Sequence, residues 1–316
     1  KRQDLDLPLL NEFSGQAYWQ KSQQESVNFQ DRLDTNVLRR RDINFQTDLI
    51  GIDLMAEKTF QLDLSRHLVR YGIEFSQSDV DSKYLKTDLL QNGEVLVDNR
   101  KSMAPSESQT LGFYVMDEIS MGEKEQWILS PSLRFDYFEI NPRSNESFLA
   151  NSANVGFTPA HYKNDALGSP GLSLIHQWNE QINLYFSYNH GVRNPSAEEL
   201  NGFFEHPPTT STTSSFIIDA NPNLKEETAD TFEIGTQAKF DTSVLKFAVY
   251  QNFYDGFIDL VKQPSRGVVD LYSNDNLGGV EVYGFEFSWD WNEIKISDDF
   301  SPLQLGFSTS WSKGKQ

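Results

Sequence analysis

The 316-residue chain contains no cysteine and only 4 methionines. Disulfide staples, thiolate metal sites and cysteine nucleophiles are therefore excluded, which suits an envelope protein that needs no disulfide framework. Basic residues are scarce beside acidic ones: 27 Lys and Arg against 46 Asp and Glu, a formal net charge of −19. Such a surface repels polyanions, so a general nucleic-acid partner is excluded. No apolar run approaches the ~20 residues of a membrane helix, and mean hydropathy is −0.54. That excludes helical spans only, because a membrane β-barrel hides its apolar residues at every second position. The opening stretch KRQDLDLPLLNEF lacks an apolar signal core, which predicts a processed N-terminus or a piece of a longer chain. HExxH, GxSxG and a Gly-rich phosphate loop are also missing. Neighbouring acids such as Asp117 and Glu118 point to opposite faces of a strand. No enzyme and no catalytic cofactor are expected.

What the chain does have is aromatics, 13% of residues, with 23 Phe, 12 Tyr and 6 Trp. They fall in twos. In INLYFSYNHGVR, Ile182, Leu184, Phe186 and Tyr188 oppose Asn183, Tyr185, Ser187 and Asn189. In DTFEIGTQAKF, Phe232, Ile234, Ala238 and Phe240 oppose Glu233, Gln237 and Lys239. VYGFEFSWDW and LQLGFSTSW repeat the pattern, as do WILSPSLRFDYF and HLVRYGIEF, with Arg134, Asp136, Arg70 and Glu74 on polar faces. Period-2 alternation is the mark of a strand with one apolar face. An aromatic outer face over a charged inner one suits a barrel with a wet lumen. A soluble sandwich or propeller is the competing reading, but its strands typically run about five or six residues.

Eleven strands are predicted, near 13–22, 43–56, 67–77, 109–120, 126–139, 170–178, 181–191, 230–241, 244–257, 280–292 and 301–312. Tight turns at MGEKE, WNEQ and DTS alternate with long connections at 78–108, 140–169, 192–229 and 258–279. Outer-membrane barrels show this asymmetry, with short turns in the periplasm and long loops outside. Their strand number is usually even, and WSKGKQ reads as a charged tail just past a strand. The fold class is therefore all-β: residues 1–316 as one antiparallel transmembrane β-barrel domain, part of a larger barrel.

Within the connection 192–229 lie Val192-Arg193-Asn194-Pro195, a lone His206 and Asn221-Pro222-Asn223-Leu224. The run YFSYNHGVRNPSAEEL followed by NPNLKEETADTFEIG resembles the TonB-dependent outer-membrane receptors. GFYVMDEI, LSPSLRFDYF and VYGFEFSWDW are similar to strands of that family. The resemblance is closest to the haem and haemoglobin receptors, whose FRAP and NPNL boxes frame a haem-ligating histidine. Here Arg193 and Pro195 match the first box, Val192 and Asn194 depart from it, and Asn221, Pro222, Asn223 and Leu224 match the second in full.

The resemblance implies a 22-stranded barrel in the bacterial outer membrane and a plug domain that is absent from this chain. It implies haem as transported ligand, from free haem or a haem-carrying protein, with TonB as energy-coupling partner through the missing N-terminal part. Outer-membrane lipid is the surrounding partner. His206 is the candidate axial ligand, with metal held only through haem iron, and Phe203, Phe204, Pro207 and Pro208 would flank the porphyrin. Against this stands the plain reading that Pro195 and Pro222 stop strands at the membrane rim. A loop histidine is ordinarily solvated, as Glu226 and Glu227 are expected to be. AEEL reads as a short helical turn. His161 is expected to be exposed, and His67, His176 and His190 to serve packing or the girdle. SNDN at 273–276 and SDD at 297–299 suit weak Ca²⁺ contacts at most. Two other functions fit the same fold: a ferric-siderophore receptor using arginines such as Arg193, and a passive porin or adhesion barrel.

Overall fold

The computed structural model describes residues 5, 7–32, 36–151, 154, 156–206, 215–267, 269–294 and 301–315, with some side chains inside strands left out. The elements are β1 (Glu12–Arg32), β2 (Val37–Leu62), β3 (Ser65–Leu89), β4 (Val95–Arg100), β5 (Ser106–Met121), β6 (Trp127–Pro142), α1 (Glu146–Leu149), β7 (Tyr162–Gln177), β8 (Ile182–Arg193), α2 (Ala197–Asn201), β9 (Phe204–His206), β10 (Ser215–Asp219), β11 (Glu227–Phe240), β12 (Ser243–Asp255), β13 (Phe257–Arg266), β14 (Val269–Leu277), β15 (Val280–Ile294) and β16 (Leu303–Lys315). No helix among the described residues is long and apolar enough to cross a membrane.

One antiparallel sheet follows the chain in the order β1-β2-β3-β5-β6-β7-β8-β11-β12-β15-β16, with β4 paired to β3 beside it. These eleven strands of the path are the eleven expected from alternation. Among the described residues β1 and β16 are not paired with each other, so the sheet is open at both edges. Turns at 63–64, 122–126, 178–181 and 241–242 lie at one end. Gly122 sits there at φ +92°, a conformation that costs glycine nothing. Asn179 Oδ1 accepts the amides of Gln181 and Ile182 at 2.9 and 2.8 Å, closing another of these turns.

The apolar face of the sheet is uncovered. Phe113, Phe135, Leu184, Ile234, Phe247 and Phe307 are all exposed. In water such a band would be an aggregation surface, so no second sheet or dry interior takes these side chains. At the short-turn end the same face carries ring clusters. His176 stacks on Trp127 at 3.9 Å with Trp178 edge-on, Trp289 stacks on Trp291 at 4.1 Å, and Phe60 stacks on His67 at 4.9 Å. His67 and His176 thus belong to these ring clusters. The opposite face is polar and ion-paired: Arg134 bridges Glu74 and Asp136 at 2.6 and 2.7 Å, and Arg70 pairs with Glu57 at 2.8 Å.

Several strands outrun the expectation. β1 and β2 have 21 and 26 residues, and the longer one extends roughly 80 Å along its path. A tilted crossing takes about 9–11 residues, so β1, β2, β3 and β4 rise well past the barrel band at the loop end. Hydrogen bonding continues there because both partners continue: Leu38 is still opposite Leu89, and Leu89 opposite Val95. Residues 313–315 of WSKGKQ are not a tail. They lie within β16, where Lys315 pairs with Glu281 at 2.6 Å.

The buried core also lies at the loop end. Ile140, Leu200, Leu224 and Ile258 form one cluster, with Phe138, Tyr162 and Ala197 packed against it. Met103, Ala104 and Phe148 are buried as well. Here the long connections meet water, so their apolar residues must bury one another. The strands, facing lipid or lumen, have no such need.

Candidate ligand-binding rim

Both sequence boxes arrive at one place. β8 ends on Arg193 and β11 begins on Glu227, directly opposite in register. Arg193 Nη2 and Nε donate to Glu227 Oε2 at 3.1 and 3.3 Å, and Nη1 donates to both carboxylate oxygens of Glu199 at 3.1 Å. Glu227 Oε2 also accepts the Ile258 amide at 3.0 Å. One guanidinium therefore ties the end of β8 to α2 and β11, and its carboxylate partner holds the start of β13. Partial burial works against the Arg193 charge. The hydrogen bonds to Glu199 and Glu227 outweigh it, holding the pKa above its ordinary value.

The rest of the first box is equally engaged. Asn194 Oδ1 accepts from Tyr162 Oη at 3.2 Å and Asn164 Nδ2 at 3.0 Å. Tyr162 Oη lies 3.5 Å from Glu226 Oε2. Burial first, then the Glu226 charge, pushes the Tyr162 phenol up to about 12, so it stays a donor at any physiological pH. Pro195 is fully buried. AEEL does become a helical turn: Ser196 caps α2 in a reciprocal capping box with Glu199, satisfying two orphan amides. Asn201, 1% exposed, bonds the Ala160 amide and carbonyl at 2.6 and 3.1 Å, drawing the 143–161 connection in.

In the second box Asn221 Oδ1 accepts the Asn223 amide at 3.0 Å while its Nδ2 donates to the Asn274 carbonyl at 2.8 Å. Pro222 is exposed and Leu224 is in the core. Asn276 accepts the Lys225 amide at 2.9 Å and donates to the carbonyls of Lys225 and Gly256 at 3.1 and 2.7 Å. The SNDN stretch is thus a hinge-pin between loops. Among the described residues no group of three or more acids or histidines would hold a metal ion.

Two expectations are corrected. Glu226 and Glu227 are not solvated: Glu227 is 8% exposed and Glu226 is half-buried, because each has a donor to meet. The 192–229 and 258–279 connections are not separate irregular loops. They interleave into a four-stranded sheet, β13-β14-β10-β9, in which β10 runs parallel to β14.

His206 closes β9, its Cα opposite Phe216. The His206 side chain, Pro207, Pro208 and the SDD stretch lie outside the described residues. Phe204 is 50% exposed. His161 is exposed and bonds Glu139 at 2.7 Å. His190 bonds Asp230 at 3.0 Å and His67 bonds Asp117 at 2.7 Å. Sequence reasoning missed Tyr162, Asn276 and the clamp role of Glu227. For Glu227 a signal was present, since it is the Glu of the Asn-Pro-Asn-Leu-x-x-Glu-Thr run.

Over residues 2–316 the chain matches the family model described as TonB dependent receptor-like, beta-barrel. It is 23% identical over 283 residues to hemoglobin-haptoglobin utilization protein B of Neisseria meningitidis serogroup A, covering 81% of this chain and 34% of that protein. It is 31% identical over 144 residues to probable hemoglobin and hemoglobin-haptoglobin-binding protein 1 of Haemophilus influenzae, covering 42% and 13%. The chain spans about a third or less of the length of these curated relatives. Among solved structures, copper transporter OprC superposes with a TM-score of 0.67 over 99% of this chain and 45% of that one, at 14% identity. Ferric citrate transporter FecA, unliganded, gives 0.63 over 96% and 40%, also at 14% identity. These two likenesses show the fold alone. The sheet thus lies in the bacterial outer membrane, where its exposed aromatic face suits contact with lipid. The chain belongs to the TonB-dependent receptor-like β-barrel family.

Proposed function

We propose that this chain is the barrel portion of a receptor that takes haem, free or carried by a haem protein, from the cell exterior. In this reading residues 1–316 form one partial barrel domain with His206 as an axial ligand of the haem iron. The observation that carries it is the Arg193–Glu227 contact. It closes the two boxes into a single clamp, and position 206 lies in the connection between them. Neutral imidazole is a good ligand for haem iron. Two curated relatives bear names that describe binding or use of haemoglobin, and this supports the same cargo here. A siderophore receptor would grip its anionic chelate with free cations. Arg193 instead donates to Glu199 and Glu227, which favours haem. Import would draw on TonB, as the family's name implies.

The test is haemin titration of the detergent-solubilised receptor. A shifted Soret band is expected with the native sequence and its loss with His206→Ala. An identical spectrum in the variant removes His206 as ligand. Absence of any haemin binding removes the haem cargo.

A further inference from the structure

Three consecutive arginines, Arg39, Arg40 and Arg41, lie on β2 above the barrel band. Arg40 is on the outer face and pairs with Asp42 at 2.7 Å. Arg39 and Arg41 share the other face, the one on which Glu57 lies lower on the same strand, and no register shift intervenes. Arg39 is held by both oxygens of Asp88. Arg41 has no such acid. Directly opposite it are Asn28 on β1 and Lys86 on β3, and Lys86 is itself paired with Asp98 at 3.2 Å. Among the described residues no acceptor takes the Arg41 guanidinium, and its Nε is buried without a partner. Next along the same face come Ile43 and Phe45, both exposed, with Tyr84 opposite Ile43 and Ser82 opposite Phe45. The Ser82 hydroxyl oxygen is also buried and unpartnered.

We infer that Arg41 anchors a carboxylate-binding subsite on the inner face of the overhang, for an organic anion whose apolar body lies along Ile43 and Phe45. The chain has 46 acidic residues for 27 basic ones, so an arginine left without an acid needs a cause. Like charges directly opposite on a sheet repel, and a half-buried guanidinium without an acceptor is costly. An arriving carboxylate relieves both. A small turn of the side chain makes the contact side-on through Nε and Nη2, the geometry that Arg39 has with Asp88. Exposed Ile43 and Phe45 favour an anion with a hydrocarbon body over a small inorganic one, because only the former covers them. A polyanionic chelate would call for several free cations, and Arg41 is a single one. The identity of the ligand rests on the haem reading: the anion is then a porphyrin held by one propionate. The strip is on β2 and β3, not on the 192–229 connection, so it is a holding site separate from the iron ligand.

Metal-free protoporphyrin IX tests the carboxylate contact without iron. Its binding to the solubilised receptor, read by fluorescence quenching, should weaken about tenfold in Arg41→Gln and further in Arg41→Glu. Arg41→Lys, which keeps the charge, should retain most of the affinity. Arg40→Gln, on the outer face, and His206→Ala should leave it within about twofold. The dimethyl ester has no carboxylate and should bind the native and Arg41→Gln receptors equally. Unchanged quenching by the diacid in Arg41→Gln and Arg41→Glu, with haemin still shifting its Soret band in the native receptor, overturns the subsite and leaves the haem reading intact. A native receptor that takes haemin but not protoporphyrin IX does the same. Equal weakening of diacid and ester, or Arg41→Lys no better than Arg41→Glu, also overturns the subsite, because lost packing is then the cause. Binding of neither haemin nor protoporphyrin IX by the native receptor overturns both.

Discussion

Tyr185 on β8 stands directly opposite Gly235 on β11, and its ring occupies the space that a Cβ at position 235 would fill. Tyr18 and Gly51, Tyr114 and Gly72, and Tyr250 and Gly284 repeat the arrangement on other strand pairs. All four tyrosines are on the lumen face. A glycine lets the ring settle against the neighbouring backbone, which covers the weak point that glycine makes in a strand.

Gly235→Ala should therefore displace Tyr185 and cost about 1–3 kcal/mol, as overpacking does. Gly284→Ala should cost more, because its Cβ would also meet the backbone oxygen of Trp311, which cannot swing away. Thermal unfolding in detergent reads both. Equal stability of the alanine variants and the native chain would show that the rings are not packed on the glycines.

The lipid-facing assignment predicts a sharp asymmetry between the two faces of one strand. Ile234→Lys puts a charge on the 59% exposed outward face, where the bilayer charges about 2–4 kcal/mol near its midplane. Thr231→Lys, on the lumen face opposite Asn189, should be tolerated. Comparison of refolding yields into lipid vesicles decides; a reversed order would place the rings inside.

Removal of the clamp should loosen the loops and spare the barrel. Arg193→Ala leaves the nearly buried Glu227 with the Ile258 amide as its remaining donor among the described residues. Leaving such a group under-satisfied costs about 1–3 kcal/mol. Hydrogen exchange should speed at Ile258 and Leu200, while amides in β11 and β12 near the short-turn end keep their rates. Uniform acceleration across the sheet would mean that the clamp is part of the barrel's own stability.

Above the barrel band, Arg39 Nε and Nη2 donate to the two oxygens of Asp88 at 2.6 and 2.7 Å. That hydrogen-bonded pairing, with further help from the charges of Arg39, Lys86 and Arg32, holds the Asp88 carboxyl below 3.8 despite burial. A depressed carboxylate stabilises the folded state fully above its unfolded value. The contribution is lost as pH falls through the lower, folded value. The β2–β3 overhang should thus stay closed at neutral pH and open in acid below about pH 4. In Asp88→Asn, opening should be greater at neutral pH and lose most of this acid step. Pulsed exchange at Arg39 and Asp88 is the measurement; an acid step of the same size in the variant would assign it to other carboxylates.

The sequence alone determined which residues face lipid. Alternation is a local property: Leu184, Phe186 and Tyr188 can share a face only as a strand, and the same holds for Phe285, Phe287 and Trp289. The eleven strands of the path and the short turns were legible for that reason. Strand ends were not, because β1, β2 and β3 continue past the membrane on hydrogen bonds to one another, and polar residues such as Gln24 and Asn44 carry no period. Tertiary structure decided the rim. Arg193, Glu199, Glu227 and Ile258 are scattered over 66 positions, and only folding brings a guanidinium to two carboxylates and a carboxylate to a distant amide. The parallel pairing of β10 with β14 likewise joins two connections whose sequences show no mutual signal. Their complementarity lies in backbone groups that every residue carries, so composition could not announce it.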